Sequence, residues 1–316
     1  MLEAPFIARL RTATSILIAG AGGGFDIFCG IPLAEALRGA GKTVHLSSLS
    51  FSVLDGLPGA RPTPAVLTVN ADTPNFRRYF PEQHLSRWYR ERGIEQSIHC
   101  FDRVGAVALH EGYHALQQEL GFDAILMVDG GTDSLMRGDE DGLGTPAEDM
   151  ANIAAVESLT VPMKMLACLG FGVDRYHGVS NELTLQAIAE LTAAGGFLGT
   201  CGLTPAHAEV QAYREACAWV FSQMPQDISI VNSSILAALA GGYGDVHASD
   251  RTRGSALWVN PIMPIYWGFD LHSIARRVQY LDDMRRTTTW DEVRGVIRDH
   301  YDSTAASRRL RKGIPD

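Results

Sequence analysis

Short apolar runs alternate with segments of helical spacing along the first part of the chain. Residues 15–20 are apolar and end in glycine, residues 27–37 repeat apolar side chains at helical intervals, and residues 43–49 have the pattern of another strand. This order predicts a strand, a glycine-rich loop, a helix and a second strand.

The same alternation returns further along the chain. A helix predicted at about residues 103–120 leads to a strand at 123–129, and a helix at about 146–158 leads to a strand at 163–169. Alternating strands and helices predict a Rossmann-like α/β fold, in which a mostly parallel sheet carries helices on both faces. In such folds the ligand-binding groups collect at the carboxyl ends of the strands.

Other stretches are less regular. Several prolines interrupt residues 55–101, which predicts an irregular insertion or a lid. Residues 180–239 have a mainly helical pattern, and residues 257–269 indicate a late strand. Because strand signals continue to residue 269 with no linker between them, we expect residues 1–316 to form a single α/β domain.

Acidic residues outnumber basic ones in this chain. The 316 residues include 27 Lys and Arg against 36 Asp and Glu, a net charge of −9, so nucleic acid and anionic membranes are poor partners. The five cysteines are scattered, the N-terminus has no signal-peptide pattern, and no apolar run reaches the ~18 residues of a membrane span. These features predict a cytoplasmic protein with a small-molecule substrate, and they leave homo-oligomerisation open.

The first glycine-rich segment contains Gly22, Gly23 and Gly24 and is followed by Asp26. Backbone amides at the start of a helix form an anion site, which predicts a cofactor-binding loop here. Phe25 occupies the third glycine position of the dinucleotide fingerprint, so a standard NAD site is disfavoured. Asp26 would repel a bare phosphate and suits a metal, an ammonium group or a ribose hydroxyl, unless it only caps the helix.

The second glycine-rich segment follows the strand predicted at 123–129. Asp129 lies at the strand end, followed by Gly130, Gly131 and Asp133, and the two glycines are predicted to bind a cofactor together with the first glycine segment. Carboxylates crowded in this way repel one another unless water or a cation separates them, and hard oxygen ligands suit Mg²⁺ or Mn²⁺. We therefore expect a metal at Asp129 and Asp133, whereas the acids at 139–141 fit a solvated surface turn equally well.

Two further groups carry candidate chemistry. His110, Glu111 and His114 match the H-E-x-x-H pattern of zinc proteases, but their helix is predicted to run along the sheet, which favours a structural role. His177 follows a predicted strand and is the candidate for proton transfer. The chain has no G-x-S-x-G elbow and no phosphate-binding G-x-x-x-x-G-K-[ST] loop, which argues against serine hydrolases and P-loop NTPases.

The segments 18–26, 128–135 and 138–141 together resemble domain-of-unknown-function family 1152. The resemblance covers roughly residues 13–300, and its aspartate-rich motif is the most specific part. It implies the same sites but no particular reaction. A weaker similarity to the D-glutamate cyclases and to metal-dependent damage-control phosphatases implies a divalent metal near Asp129 and Asp133.

These features predict an enzyme that acts on a small carboxylated or phosphorylated metabolite by metal-assisted hydrolysis, elimination or cyclisation. Asp26, Asp129 and Asp133 are the expected ligands of Mg²⁺ or Mn²⁺, and His177 acts beside Asp129 and Asp133 as a catalytic residue. One alternative is a Rossmann-like enzyme that binds a nucleotide or dinucleotide, with Asp26 on a ribose hydroxyl. Another is a non-catalytic metabolite-binding or scaffold protein.

Overall fold

The structure, a computed structural model, describes residues 3–76, 79–248 and 250–304. The strands within these residues are β1 (Ser15–Gly23), β2 (Thr43–Leu49), β3 (Val66–Val69), β4 (Ile98–Phe101), β5 (Ala124–Asp129), β6 (Met163–Cys168), β7 (Phe197–Gly202) and β8 (Ile265–Asp270). They form one sheet in the order β3-β4-β2-β1-β5-β6-β8-β7. Strands β1, β2, β4, β5 and β6 are parallel, and the pairings that involve β3 and β8 are antiparallel. The predicted α/β fold with a mostly parallel sheet is confirmed.

Helices cover both faces of the sheet. They are α1 (Pro5–Thr12), α2 (Asp26–Cys29), α3 (Ile31–Gly39), α4 (Pro81–Glu91), α5 (Ala106–Leu120), α6 (Pro146–Glu157), α7 (Asn181–Ala193), α8 (Ala208–Gln223), α9 (Ile230–Leu239), α10 (Leu271–Ala275), α11 (Leu281–Met284) and α12 (Trp290–Thr304). Alternate side chains of a strand point to opposite faces, so Ile16 and Ile18 belong to one buried cluster and Leu17 and Ala19 to another. The first cluster includes α1 to α4, α8 and α9, and the second includes α5 to α7 and α10 to α12.

Residues 55–101, predicted as an irregular insertion or lid, contain regular elements as well as irregular ones. They supply β3, α4 and β4, and β4 pairs with β2 inside the main sheet. Pro81 is the first residue of α4, where the missing N–H removes no helical hydrogen bond. This segment therefore builds one edge of the sheet.

Two other predicted boundaries shift. β7 interrupts the mainly helical pattern predicted for residues 180–239. The late strand β8 begins at Ile265, directly after Pro264, because proline cannot donate to a strand ladder. None of the helices in the described ranges has the length and apolar composition needed to cross a membrane.

β1 extends further than the apolar pattern predicted. It continues through the first glycines to Gly23, which lies opposite Leu49 of β2, and the N–H of Gly24 donates to the Leu49 carbonyl at 2.9 Å. The chain then turns directly into α2 at Asp26. Much of the predicted glycine loop is therefore strand.

Candidate metal centre

A cavity of about 540 Å³ opens at the carboxyl ends of β1 and β5. The chain leaves β1 for β2 on one side, whereas β5 lies on the other side of β1, so the strand order reverses at this point. Open α/β sheets bind ligands in the crevice at such a reversal. The cavity is lined by both glycine-rich segments, by the first turn of α6 and by the residues before and within the first turn of α9.

Three carboxylates converge on this cavity. Asp26 is the first residue of α2, Asp129 is the last residue of β5, and Asp149 lies in the first turn of α6. Each offers one oxygen, and these three oxygens lie within 4.8 Å of one another. The arrangement is the one group of three or more His, Cys, Asp or Glu side chains suited to a metal that was found in the described part of the chain. We call Asp26, Asp129 and Asp149 the acid triad.

The oxygens of the acid triad differ in their partners. Asp26 Oδ2 accepts a hydrogen bond from the N–H of Gly22 at 2.9 Å, and Asp129 Oδ2 accepts from the N–H of Ser134 at 3.3 Å and from its hydroxyl. Asp149 Oδ1 is buried without a hydrogen-bond partner among the described residues. A buried carboxylate oxygen without a donor is costly, so the triad fits a divalent cation, which prefers carboxylate ligands.

Asp133 and Asp174 surround the triad. Asp133 Oδ2 accepts hydrogen bonds from Thr145, at 2.8 Å from its N–H and 3.2 Å from its hydroxyl. Asp174 Oδ2 accepts one at 2.6 Å from the N–H of Thr132. Of the three predicted ligands, Asp26 and Asp129 belong to the acid triad. Its third member is Asp149, and the predicted ligand Asp133 lines the same cavity outside the triad.

Burial of so many carboxyl groups raises their pKa values. Desolvation, together with the negative charge of Asp133, raises the pKa of Asp26 to about 7. The same two causes hold the pKa values of Asp129, Asp149 and Asp174 well above the usual range. Since a cation would stabilise the charged forms, the electrostatics of the cavity favour a positive ligand.

The glycines of the site give their carboxylate neighbours room. A Cβ on Gly22 would lie 2.5 Å from Asp26 Oδ2, one on Gly130 would lie 2.9 Å from Asp26 Oδ1, and one on Gly131 would lie 2.5 Å from Asp174 Oδ2. We expected the first glycine segment to bind an external anion through its amides. The N–H of Gly22 instead donates to Asp26 and that of Gly24 to Leu49, so neither is available to a ligand.

His177 and Arg251 lie at the rim of the same cavity. The His177 side chain is exposed, and partial desolvation lowers its pKa, while Asp133 acts in the opposite direction. A histidine with a lowered pKa is neutral near pH 7 and can accept a proton. The residue predicted to transfer protons thus lines the same cavity as the acid triad.

The beginning of α9 also faces the cavity. Ser229 caps the helix by accepting a hydrogen bond from the N–H of Asn232 at 3.1 Å. Ile230 and Val231, in the first turn of α9, line the cavity. The first N–H groups of any helix have no hydrogen-bond partner within the helix. This end of α9 carries a partial positive charge.

Other candidate groups lie elsewhere. His110 on α5 contacts the Ala155 carbonyl at 2.9 Å through Nδ1, whereas Glu111 and His114 are exposed, so the H-E-x-x-H residues do not converge. Among the acids at 139–141, Asp139 forms two hydrogen bonds of 2.8 Å with Arg137. Neither group lines the cavity at the acid triad.

Sequence reasoning did not predict that Asp149 belongs to the acid triad. An acid in the first turn of a helix usually serves the helix itself, and the sequence pattern does not place α6 near the end of β1. The available signal was Pro146, which marks the start of α6 directly after an acidic, glycine-rich segment, so the first turn of α6 is close to that segment along the chain.

Comparison with known proteins identifies a family. The family model described as "Protein of unknown function (DUF1152)" matches residues 17–304. The resemblance found in the sequence is confirmed over nearly the same range. Neither the curated proteins nor the solved structures gave a match.

Proposed function

The chain belongs to this family of proteins of unknown function, and we propose from the site itself that it is a divalent-metal-dependent enzyme acting on a small anionic metabolite. Asp26, Asp129 and Asp149 hold Mg²⁺ or Mn²⁺ in this proposal. Hydrolysis, elimination or cyclisation of a carboxylated or phosphorylated substrate are the reactions that such a site supports.

The observation that carries the proposal is the Asp149 side chain. It is 2% exposed, and its Oδ1 has no hydrogen-bond partner in the described ranges. The same residue belongs to the group of three whose oxygens lie within 4.8 Å of one another. A cation among these oxygens would satisfy the unpartnered atom and offset the repulsion between the carboxylates.

The anionic end of the substrate is best accommodated at the start of α9. Ile230, Val231 and Arg251 line the cavity that also contains the acid triad. A helix N-terminus stabilises an anion through its unpaired amides and its dipole. Substrate would thus lie between this positive end and the metal.

The metal supplies Lewis-acid polarisation of a carbonyl or phosphoryl group when it is bound. His177 accepts or returns a proton at the cavity rim, since its lowered pKa keeps it neutral near pH 7. Asp129 and Asp149 are buried and Asp26 is half-buried, so the protein shields the proposed metal site from much of the solvent.

Isothermal titration calorimetry with Mg²⁺ and Mn²⁺ tests the proposal. We expect the wild-type protein to bind one of these ions and Asp149→Asn to weaken binding by about a hundredfold, because a neutral amide replaces a negatively charged carboxylate. Asp291→Asn is the matched control, since the Asp291 side chain is 85% exposed. Absence of binding by the wild type, or equal binding by wild type and Asp149→Asn, would contradict a metal at the triad.

A further inference from the structure

Aromatic side chains form a second wall of the cavity that contains the acid triad. Phe25, Phe51 and Tyr79 all line it. The rings of Phe51 and Tyr79 lie 6.3 Å apart at 30°, and the ring of Phe25 meets Tyr79 edge-on at 6.0 Å. We call Phe25, Phe51 and Tyr79 the aromatic wall.

The protein backbone is shaped to hold this wall. A Cβ on Gly23 would collide with the Phe51 ring, and a Cβ on Gly24 would collide with the Tyr79 hydroxyl. The first glycine segment therefore has two roles. Gly22 makes room for Asp26, and the next two glycines let the aromatic rings approach the strand end.

Phe51 remains accessible within this arrangement. Its ring edge packs on Gly23, and the Arg103 guanidinium lies over the ring at 5.8 Å. The side chain is nevertheless 40% exposed, whereas Phe25 is 7% exposed. Because Phe51 lines the cavity, part of its exposed surface is available to a ligand there.

We propose that the ligand carries a planar ring, which packs against Phe51 and Tyr79 while its phosphate or carboxylate group lies between the start of α9 and the metal at the acid triad. This inference rests on the proposed metal-dependent function and narrows its substrate class to ring-bearing anions. A nucleoside phosphate and an aromatic carboxylate share this chemistry. The cavity of about 540 Å³ falls within the size range of small-molecule sites.

Matched ligand pairs test the ring by isothermal titration calorimetry in the presence of Mg²⁺. AMP is compared with ribose 5-phosphate, and phenylpyruvate with pyruvate, so each pair keeps its anionic group and differs in the ring. We expect the ring-bearing member of one pair to bind about tenfold more tightly or better, the scale of stacking on an aromatic side chain. The pair that shows the preference distinguishes the two sources.

Variants assign the preference to the wall. Phe51→Leu, which keeps an apolar side chain but loses the ring, should reduce the preference about tenfold, and Phe51→Trp should retain it. Phe76→Leu is the matched control, because Phe76 is 86% exposed and is not part of the cavity lining. Equal affinities within both pairs, a lack of binding by both ring-bearing compounds, or a preference unaffected by Phe51→Leu would overturn the inference.

Different measurements test the two proposals. Titration with Mg²⁺ or Mn²⁺ in the absence of an organic ligand tests the metal site, whereas the ratio of the two affinities within each ligand pair tests the preference for a ring. A Phe51-dependent ring preference that persists in EDTA would support the aromatic wall and contradict a metal requirement.

Discussion

Gly22 and Asp26 are four positions apart and fit each other closely. The N–H of Gly22 donates to Asp26 Oδ2 at 2.9 Å, and a Cβ on Gly22 would lie 2.5 Å from the same oxygen. Asp26 therefore takes its orientation from a position at which only glycine fits. A pattern that suggests phosphate binding serves here to hold a carboxylate of the protein itself.

Gly22→Ala should displace Asp26 and weaken Mg²⁺ binding at least tenfold, with a loss of about 1–3 kcal/mol in the free energy of unfolding from overpacking. Calorimetric titration and urea unfolding measure the two effects. Gly39→Ala is the control, because nothing lies within 4 Å of a Cβ there and Gly39 is the last residue of α3. It should leave metal binding unchanged and stabilise the protein by up to about 1 kcal/mol. Equal metal affinity in both variants would argue against the role of Gly22.

At the scale of elements, the sequence pattern predicted β1, β2, β5, β6 and the late strand β8, but it predicted neither β3, β4 and β7 nor the docking of the helices. Asp26 and Asp129 follow apolar runs, and the carboxyl ends of parallel strands share one sheet edge, so their proximity followed from the pattern alone. Asp149 enters the site because α6 packs with its first turn toward β1. Periodicity locates a helix and its buried face but does not specify which strand end its N-terminus approaches.

In the part of the chain that the structure describes, α5 carries the H-E-x-x-H pattern of zinc proteases without forming a metal site from it. Gly112, at the centre of the H-E-x-x-H pattern, faces the sheet, where a Cβ would lie 2.5 Å from the Phe101 ring and 2.7 Å from Val66. The glycine is thus a packing residue between α5 and the sheet. Glu111 and His114 point to solvent.

Gly112→Ala should therefore lower the free energy of unfolding by about 1–3 kcal/mol through overpacking. Glu111→Gln and His114→Ala, changes to exposed residues of the same helix, should stay within about 0.5 kcal/mol of the wild type and leave Mg²⁺ binding intact. Urea unfolding and calorimetry measure both. A loss of Mg²⁺ binding in Glu111→Gln or His114→Ala would contradict a purely structural role for α5.

For the whole molecule, pH acts through a buried acid outside the triad. Glu82, in the first turn of α4, is 0% exposed, accepts a hydrogen bond from Ser48 at 3.1 Å, and leaves Oε2 without a partner among the described residues. Burial raises its pKa from 4.5 to about 7. Between these two pKa values the folded protein keeps the Glu82 proton, whereas the unfolded chain releases it. The contribution of Glu82 to the free energy of unfolding is therefore fully present below pH 4.5 and is lost as the pH rises toward 7.

The difference in unfolding free energy between Glu82→Gln and the wild type isolates this contribution, because other titrating groups cancel. We expect the unfolding free energy of Glu82→Gln, relative to that of the wild type, to rise by about 3 kcal/mol between pH 4.5 and 8, at 1.36 kcal/mol per pKa unit. Glu182→Gln is the control, since a hydrogen bond from Ser180 lowers the pKa of Glu182. Its difference from the wild type should stay constant between about pH 5.5 and 8. A flat difference for Glu82→Gln as well would show that this carboxyl group is not the source.

The acid triad draws one residue from each layer of the molecule. Asp26 begins a helix of one layer, Asp149 belongs to a helix of the other, and Asp129 ends a central strand between them. A cation bound by the acid triad would therefore link the two helical layers to each other and to the end of the central strand. Because binding would strengthen the contact between the layers, we expect it to slow amide hydrogen exchange in helices on both faces of the sheet, far from the cavity.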